Sequence, residues 1–379
     1  MKKLDEFIPY GRQCIDEEDI QAVVDVLRSP FLTTGPKIAE FERTVADYVG
    51  AKYAVAFSNG TAALHGACYA ADIGEGDEVI TSPITFAASA NCVRYMNGTV
   101  VYADIDEKTY NINVKEVEKN ITSKTKAIIP VDFTGQPADM DPIMELAKKH
   151  NLIVIEDGAH SLGATYKGRK VGTFADMTMF SFHPVKPVTT AEGGVIVTDN
   201  EEYYKKMLKF RSHGIEQTPF AQEQGDWYYE MTDLGYNYRI TDLQAALGIS
   251  QMKKLDIFIA KRRELVTMYN ELLADVEGIT IPYQLPNTES GCHLYSVQLS
   301  NHVDRKKVFE LMRKENVGVH VHYMPVYWHP YYQKLGYKKG LCPKAEKWYE
   351  NALTLPLHTY LSHVDIIKIV RMIKENIHE

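Results

Sequence analysis

Near the start of the chain, Ile20, Val23, Val24 and Leu27 recur with the i, i+3, i+4, i+7 spacing of one helix face. Asp16 stands just before them as an N-cap, so the spacing predicts an amphipathic helix over residues 17–28. From Ala51 the pattern changes. Short apolar runs at 53–57, 78–81, 100–104, 127–132, 152–156, 177–182 and 195–198 read as strands. Helical patterns at 62–71 and 142–150 fall between them. Strands apolar on both faces and alternating with helices imply a largely parallel sheet covered on both sides. The segment 241–273 reads as one long helix that carries the chain into a second lobe. Beyond Ile279 the pattern is a small α+β unit, with strands at 293–299 and 318–323 and a helix at 305–315. The expected division is a large domain over 1–250 and a linking helix with a smaller domain over 251–379.

A chain of 379 residues is long enough for one sizeable core and a second lobe. The net charge of -8 argues against broad capture of nucleic acid or an anionic membrane. The first residues, Met1-Lys2-Lys3-Leu4-Asp5-Glu6, turn acidic where a secretory signal turns apolar. There is no apolar run of bilayer-spanning length. Five scattered cysteines without a C-x-x-C fit small buried apolar residues in a reduced, cytoplasmic setting.

Three segments put reactive groups where open α/β sheets bind ligands, at the carboxyl ends of strands. In Ser58-Asn59-Gly60-Thr61, a strand end meets a tight turn and a helix start, which suits a phosphate or a plain N-cap equally well. In Glu156-Asp157-Gly158-Ala159-His160, two acids follow an apolar strand. A buried carboxylate there needs a cation or several donors, whereas a surface acid pair needs neither. In Ser181-Phe182-His183-Pro184-Val185-Lys186-Pro187, a lysine lies in a proline-stiffened loop followed by Gly193-Gly194. A lysine held away from water forms Schiff bases readily, whereas most lysines are simply solvated.

Together these segments resemble the nucleotide-sugar aminotransferases of the DegT/DnrJ/EryC1/StrS family. The resemblance also takes in Pro83-Ile84-Thr85-Phe86, Gly235-Tyr236-Asn237-Tyr238-Arg239 and Leu243-Gln244-Ala245-Ala246, and covers nearly the whole chain. It implies an α/β chain of the aspartate-aminotransferase fold (fold type I). Such a chain has a large mixed, mostly parallel sheet domain and a smaller C-terminal α+β domain. It also implies pyridoxal 5′-phosphate as cofactor, with pyridoxamine 5′-phosphate as its aminated form. By the same resemblance Lys186 carries the cofactor, Asp157 faces the ring nitrogen, Phe86 stacks on the ring, and Gly60, Thr61 and Ser181 hold the phosphate. Asn237, with Arg239, reaches the cofactor of a second subunit, which implies a homodimer. His160 departs from the glutamine common in relatives, and its protonation state stays open.

A narrower resemblance rests on Thr189-Thr190-Ala191-Glu192-Gly193-Gly194, Phe210-Arg211-Ser212-His213-Gly214 and Val321-His322-Tyr323 with Pro325. It points to the branch that makes UDP-4-amino-4,6-dideoxy-N-acetyl-β-L-altrosamine for pseudaminic acid. It implies a UDP-linked 4-keto-6-deoxy sugar as acceptor and glutamate as donor. Tyr10, Pro30, Phe31, Leu32, Thr33, Asn59, His322 and Tyr323 would touch the nucleotide sugar. Related 3- and 4-aminotransferases, including those acting on dTDP-sugars, share much of this pattern. A cofactor-binding regulatory protein is the rival of a different class. The expected site holds no metal, since His320 and His322 have no evident third ligand. Tyr327, Trp328, Tyr331 and Tyr332 form an aromatic patch with two readings, a wall of the nucleotide pocket or a contact with a second subunit.

Overall fold

The structure is a computed structural model that describes residues 6–377. Its central sheet contains β1 (Tyr53–Phe57), β2 (Glu78–Thr81), β3 (Thr99–Tyr102), β4 (Thr125–Ile129), β5 (Ile153–Asp157), β6 (Met177–Ser181) and β7 (Gly194–Thr198). Across the sheet the order is β1-β7-β6-β5-β4-β2-β3. Strands β2 to β6 pair in parallel. Only β7 runs against its neighbours, β1 and β6. It follows that β1, β5 and β6 point the same way, and their carboxyl ends meet at one edge.

The two-residue alternation of a strand explains why these runs are apolar throughout. Val55 and Phe57 of β1 pack with Ile196 of β7 and the helix Gly60–Ala70. Ala54, Ala56, Val195 and Val197 face the other way, onto helices Pro36–Val49 and Asp242–Met252. Ile80, Ile128 and Val154 cover the helix Met140–His150 on that second side. The first helix forms over Glu17–Leu27, and Asp16 closes a reciprocal capping box with Asp19.

A second sheet contains β8 (Ile279–Thr280), β9 (Tyr295–Leu299) and β10 (Ala352–Leu355), antiparallel and in that order. Val297, Leu299, Leu353 and Leu355 pack there against Tyr269, Met312 and Ile369 from helices Leu255–Leu273, Arg305–Lys314 and His363–Asn376.

Three sequence expectations change. The segment 241–273 is two helices, Asp242–Met252 and Leu255–Leu273. The first buries Ala245 and Met252 beside the large sheet, while Leu265, Tyr269 and Leu273 of the second enter the smaller core. A face that serves two cores need not stay in one helical register. Lys254, between them, ties back to Asp19 at 3.1 Å. Residues 318–323 form no strand. Pairing stops at one bridge, His320 with Thr354, and the next residues enter the cleft. The aromatic patch does not line the cleft within one chain, and it divides, with Tyr331 left exposed. Tyr327 and Tyr332 are buried in the large-sheet core of their own chain, and the Tyr332 hydroxyl donates to Asn91 at 2.8 Å.

Candidate active site

At the shared strand edge, β1 ends and Asn59 caps the helix Gly60–Ala70, its Oδ1 accepting the Ala62 N–H at 2.9 Å. The N–H groups of Gly60 and Thr61 lie in the first turn, where a helix has no carbonyl to receive them. Strand β7 begins against this turn: a Cβ on Gly194 would fall 2.5 Å from the Asn59 carbonyl oxygen, so only glycine fits. Ser181, the last residue of β6, sits beside Gly60, where an added Cβ would lie 3.5 Å from the serine hydroxyl. Amide donors, the positive helix end and two hydroxyls form a cradle suited to a phosphate.

One strand over, Asp157 closes β5 and is 4% exposed. Ser89 donates to its Oδ2 at 2.5 Å, and the Ala159 N–H donates to its Oδ1 at 3.1 Å. Thr85 continues the chain, 2.6 Å from Ser89. Burial pushes the Asp157 carboxyl up, against these hydrogen bonds and the charge of Lys186. Its hydrogen-bonded partners are neutral donors, so a buried carboxylate here still lacks a contacting cation. A protonated ring nitrogen would supply one.

Lys186 lies in the connection between β6 and β7, and its N–H closes a turn onto the His183 carbonyl at 2.9 Å. The residue is 9% exposed, and Nζ stands 3.4 Å from His293 Nε2. Burial pulls its amine down from 10.5 to about 7; Asp157 opposes the shift and Arg262 adds to it. An amine that is partly uncharged at neutral pH is a nucleophile and a proton carrier.

These groups face one cavity of about 870 Å³. Lys186, Asp157, His160, Ser181, Asn59, Gly60, Thr61 and Phe86 all line it, as do Tyr10, His322 and Tyr323. Phe86 is 64% exposed, so its ring is available to cover a planar ligand. His160 Nε2 is 3.3 Å from the Tyr323 hydroxyl. Burial, then Lys186 and His322, hold its imidazole well below the usual histidine range. His322 Nδ1 contacts Thr354 Oγ1 at 2.9 Å, and burial lowers this histidine to about 3.

The remaining sequence candidates lie apart. Pro30, Phe31, Leu32 and Thr33 are exposed and do not line the cavity within one chain. Nor do Asn237, which bridges to Ser212, and Arg239. Sequence reading missed Thr85, Ser89, Tyr95, Tyr238 and His293. Thr85 and Tyr238 fell inside quoted motifs but received no role; nothing in local spacing marks the other three. Among the described residues, no group of three His, Cys, Asp or Glu side chains converges as metal ligands.

The model of the DegT/DnrJ/EryC1/StrS aminotransferase family matches residues 13–374. The chain belongs to this family. Spore coat polysaccharide biosynthesis protein SpsC of Bacillus subtilis is 40% identical over 382 residues, 99% of this chain and 98% of that protein. The UDP-4-amino-4,6-dideoxy-N-acetyl-beta-L-altrosamine transaminase of Campylobacter jejuni is 38% identical over 363 residues, 94% of each chain. The structure of the putative sugar aminotransferase Spr1654 from Streptococcus pneumoniae, in its PMP form, superposes with a TM-score of 0.94. It is 33% identical, over 98% of this chain and 99% of that one. As a DegT/DnrJ/EryC1/StrS member the chain is an aminotransferase that uses pyridoxal phosphate. When bound, that group supplies an aldehyde for amines and an electron-withdrawing ring. The phosphate cradle and the unpaired buried acid fit it.

Proposed function

We propose that this aminotransferase places an amino group on C4 of a UDP-linked 4-keto-6-deoxy-N-acetyl hexose, taking it from glutamate. The product is UDP-4-amino-4,6-dideoxy-N-acetyl-β-L-altrosamine, for pseudaminic acid biosynthesis. The observation that carries this reading is the 38% identity, over 94% of the chain, to a transaminase named for that sugar.

In this reading Lys186 bears the cofactor and, once freed, takes and returns the proton at the substrate carbon through Nζ. Asp157, held by Ser89 and Ala159, keeps the ring nitrogen protonated. Gly60, Thr61 and Ser181 hold the phosphate, and Phe86 covers one ring face. His160, against Tyr323, would meet the cofactor toward its ring oxygen. Tyr10, Asn59, His322 and Tyr323 contact the sugar from within the cavity. Asn237 and Arg239 complete the site of a second copy in a homodimer, and the Pro30–Thr33 turn guides the nucleotide.

A second reading is an aminotransferase for a different nucleotide-linked keto sugar. The greater identity to SpsC, 40%, favours keeping it. The deciding experiment offers UDP- and dTDP-linked keto sugars with glutamate and identifies the aminated product. Conversion confined to the UDP-4-keto-6-deoxy-N-acetyl sugar supports the first reading. Preferred conversion of a dTDP-sugar, or amination at C3, supports the second.

A further inference from the structure

His293 enters none of the roles above, yet among the described residues its Nε2 is the side-chain atom within hydrogen-bond range of Lys186 Nζ, at 3.4 Å. It stands at the approach to β9, 107 residues along the chain from the lysine. Its backbone is fixed on both sides. Its N–H donates to the Thr134 carbonyl at 3.0 Å, and its carbonyl accepts from Arg262 Nη1 at 3.3 Å. The same Nη1 reaches the Leu357 carbonyl at 2.9 Å and the Cys292 carbonyl at 3.4 Å. Arg262 is 1% exposed and its hydrogen bonds go to carbonyl oxygens, so it acts as a clamp on this junction. The His160 ring lies 4.5 Å from the His293 ring, centroid to centroid.

An uncharged amine has two N–H bonds and one lone pair. With no partner it turns freely, and its lone pair spends most of its time misaligned. A single acceptor for one N–H restricts that rotation. We propose that His293 is a positioning residue: its Nε2 accepts an N–H from the free ε-amine of Lys186 and so aims the amine lone pair into the cleft. This rests on the reading of Lys186 given above. The distance is longer than a tight hydrogen bond, which lets the amine swing between its two tasks.

The charged and titratable groups that face His293 are Lys186, His160, Arg262 and His322; Asp157 faces Lys186 in turn. Burial first, and then these four neighbours, hold the imidazole well below its ordinary range. His293 therefore stays uncharged where Lys186 titrates. It accepts a hydrogen bond and does not compete for the proton, which leaves Lys186 as the group that moves it.

The test uses the holoenzyme with His293→Phe, which keeps bulk without an acceptor, and His293→Gln, which keeps an acceptor. For His293→Phe we expect kcat to fall about 10- to 100-fold with both KM values within about threefold, the size of a misaligned reacting group. The pH midpoint of the visible band of the lysine-bound cofactor should move by about one unit. His293→Gln should recover a substantial part of kcat. Lys186→Ala runs in parallel. If Lys186→Ala keeps the band and turnover, the Lys186 reading itself fails. If it loses both while His293→Phe matches the parent in kcat and midpoint, only the His293 inference is overturned. Should neither His293 variant fold, the nitrogen-15 shifts of His293 in the parent holoenzyme at pH 8 decide. An unprotonated Nε2 supports the inference, and a protonated Nε2 contradicts it.

Discussion

The floor and the rim of the cleft are built differently. On the floor, Lys186, Asp157, His160 and His293 are buried, and hydrogen bonds from the same chain hold them. Phe31, Leu32 and Asn237, which our reading assigns to the rim, lie outside the cavity of their own chain, and the first two are exposed. Burial on the floor pulls Lys186, His160 and His293 toward their uncharged forms, while Asp157, which burial also pushes toward its neutral form, needs a cation to stay charged. The rim performs no such tuning; in our reading its parts serve recognition and a second copy. In our reading the reacting groups are complete in one chain, and a second copy closes the substrate pocket.

The contrast breaks most sharply at Lys186. Lys186→Ala should lower turnover by about four orders of magnitude and remove the visible cofactor band, since no neighbouring amine replaces it. Asp157→Asn keeps the shape but not the charge, and kcat should fall about 100- to 1,000-fold. Both variants should leave assembly unchanged in analytical ultracentrifugation.

The rim is tested by mixing subunits. Lys186→Ala and Asn237→Ala chains are each expected to be nearly inactive alone. Refolded together, half of the dimers would carry one site with neither defect, and activity should return to roughly a quarter of the parent value. Persistent inactivity of the mixture would mean that Asn237 does not serve a neighbour's site.

A pH effect belongs to the floor alone. The folded chain holds Lys186 near 7, below its free value of 10.5, so between these values the unfolded state binds the extra proton. Unfolding free energy therefore rises with pH across that window, and below about pH 7 the buried ammonium is a net cost. For the cofactor-free chain, Lys186→Met should raise the melting temperature at pH 7 and flatten its rise toward pH 10. A parallel rise in parent and variant would place the effect elsewhere. The smallest change is expected at the rim: Phe31→Ala should raise the KM for the sugar up to about tenfold while stability stays within about 0.5 kcal/mol.

Much of the floor was legible in the sequence because local pattern carries it. Asp157 follows an apolar strand, Asn59 precedes a helix, and Lys186 sits between two prolines, so each stood out as a candidate from its immediate neighbours, and the resemblance gave it a role. The strand Glu78–Thr81 has the bounds its apolar run implied. What local pattern could not show were contacts between distant segments. His293 looked like the start of an ordinary strand, and Ser89 fell in no element or motif, until folding set them against Lys186 and Asp157. The break at Lys253-Lys254 was hidden for a related reason. Apolar spacing continues through it, while the two halves serve different cores.

The most direct measurement treats the holoenzyme with borohydride, digests it and maps the modified peptide by mass spectrometry. The account requires the reduced cofactor to be attached to Lys186 and to no other lysine. Attachment at a different lysine, or no attachment in a protein that still transfers amino groups, would contradict it.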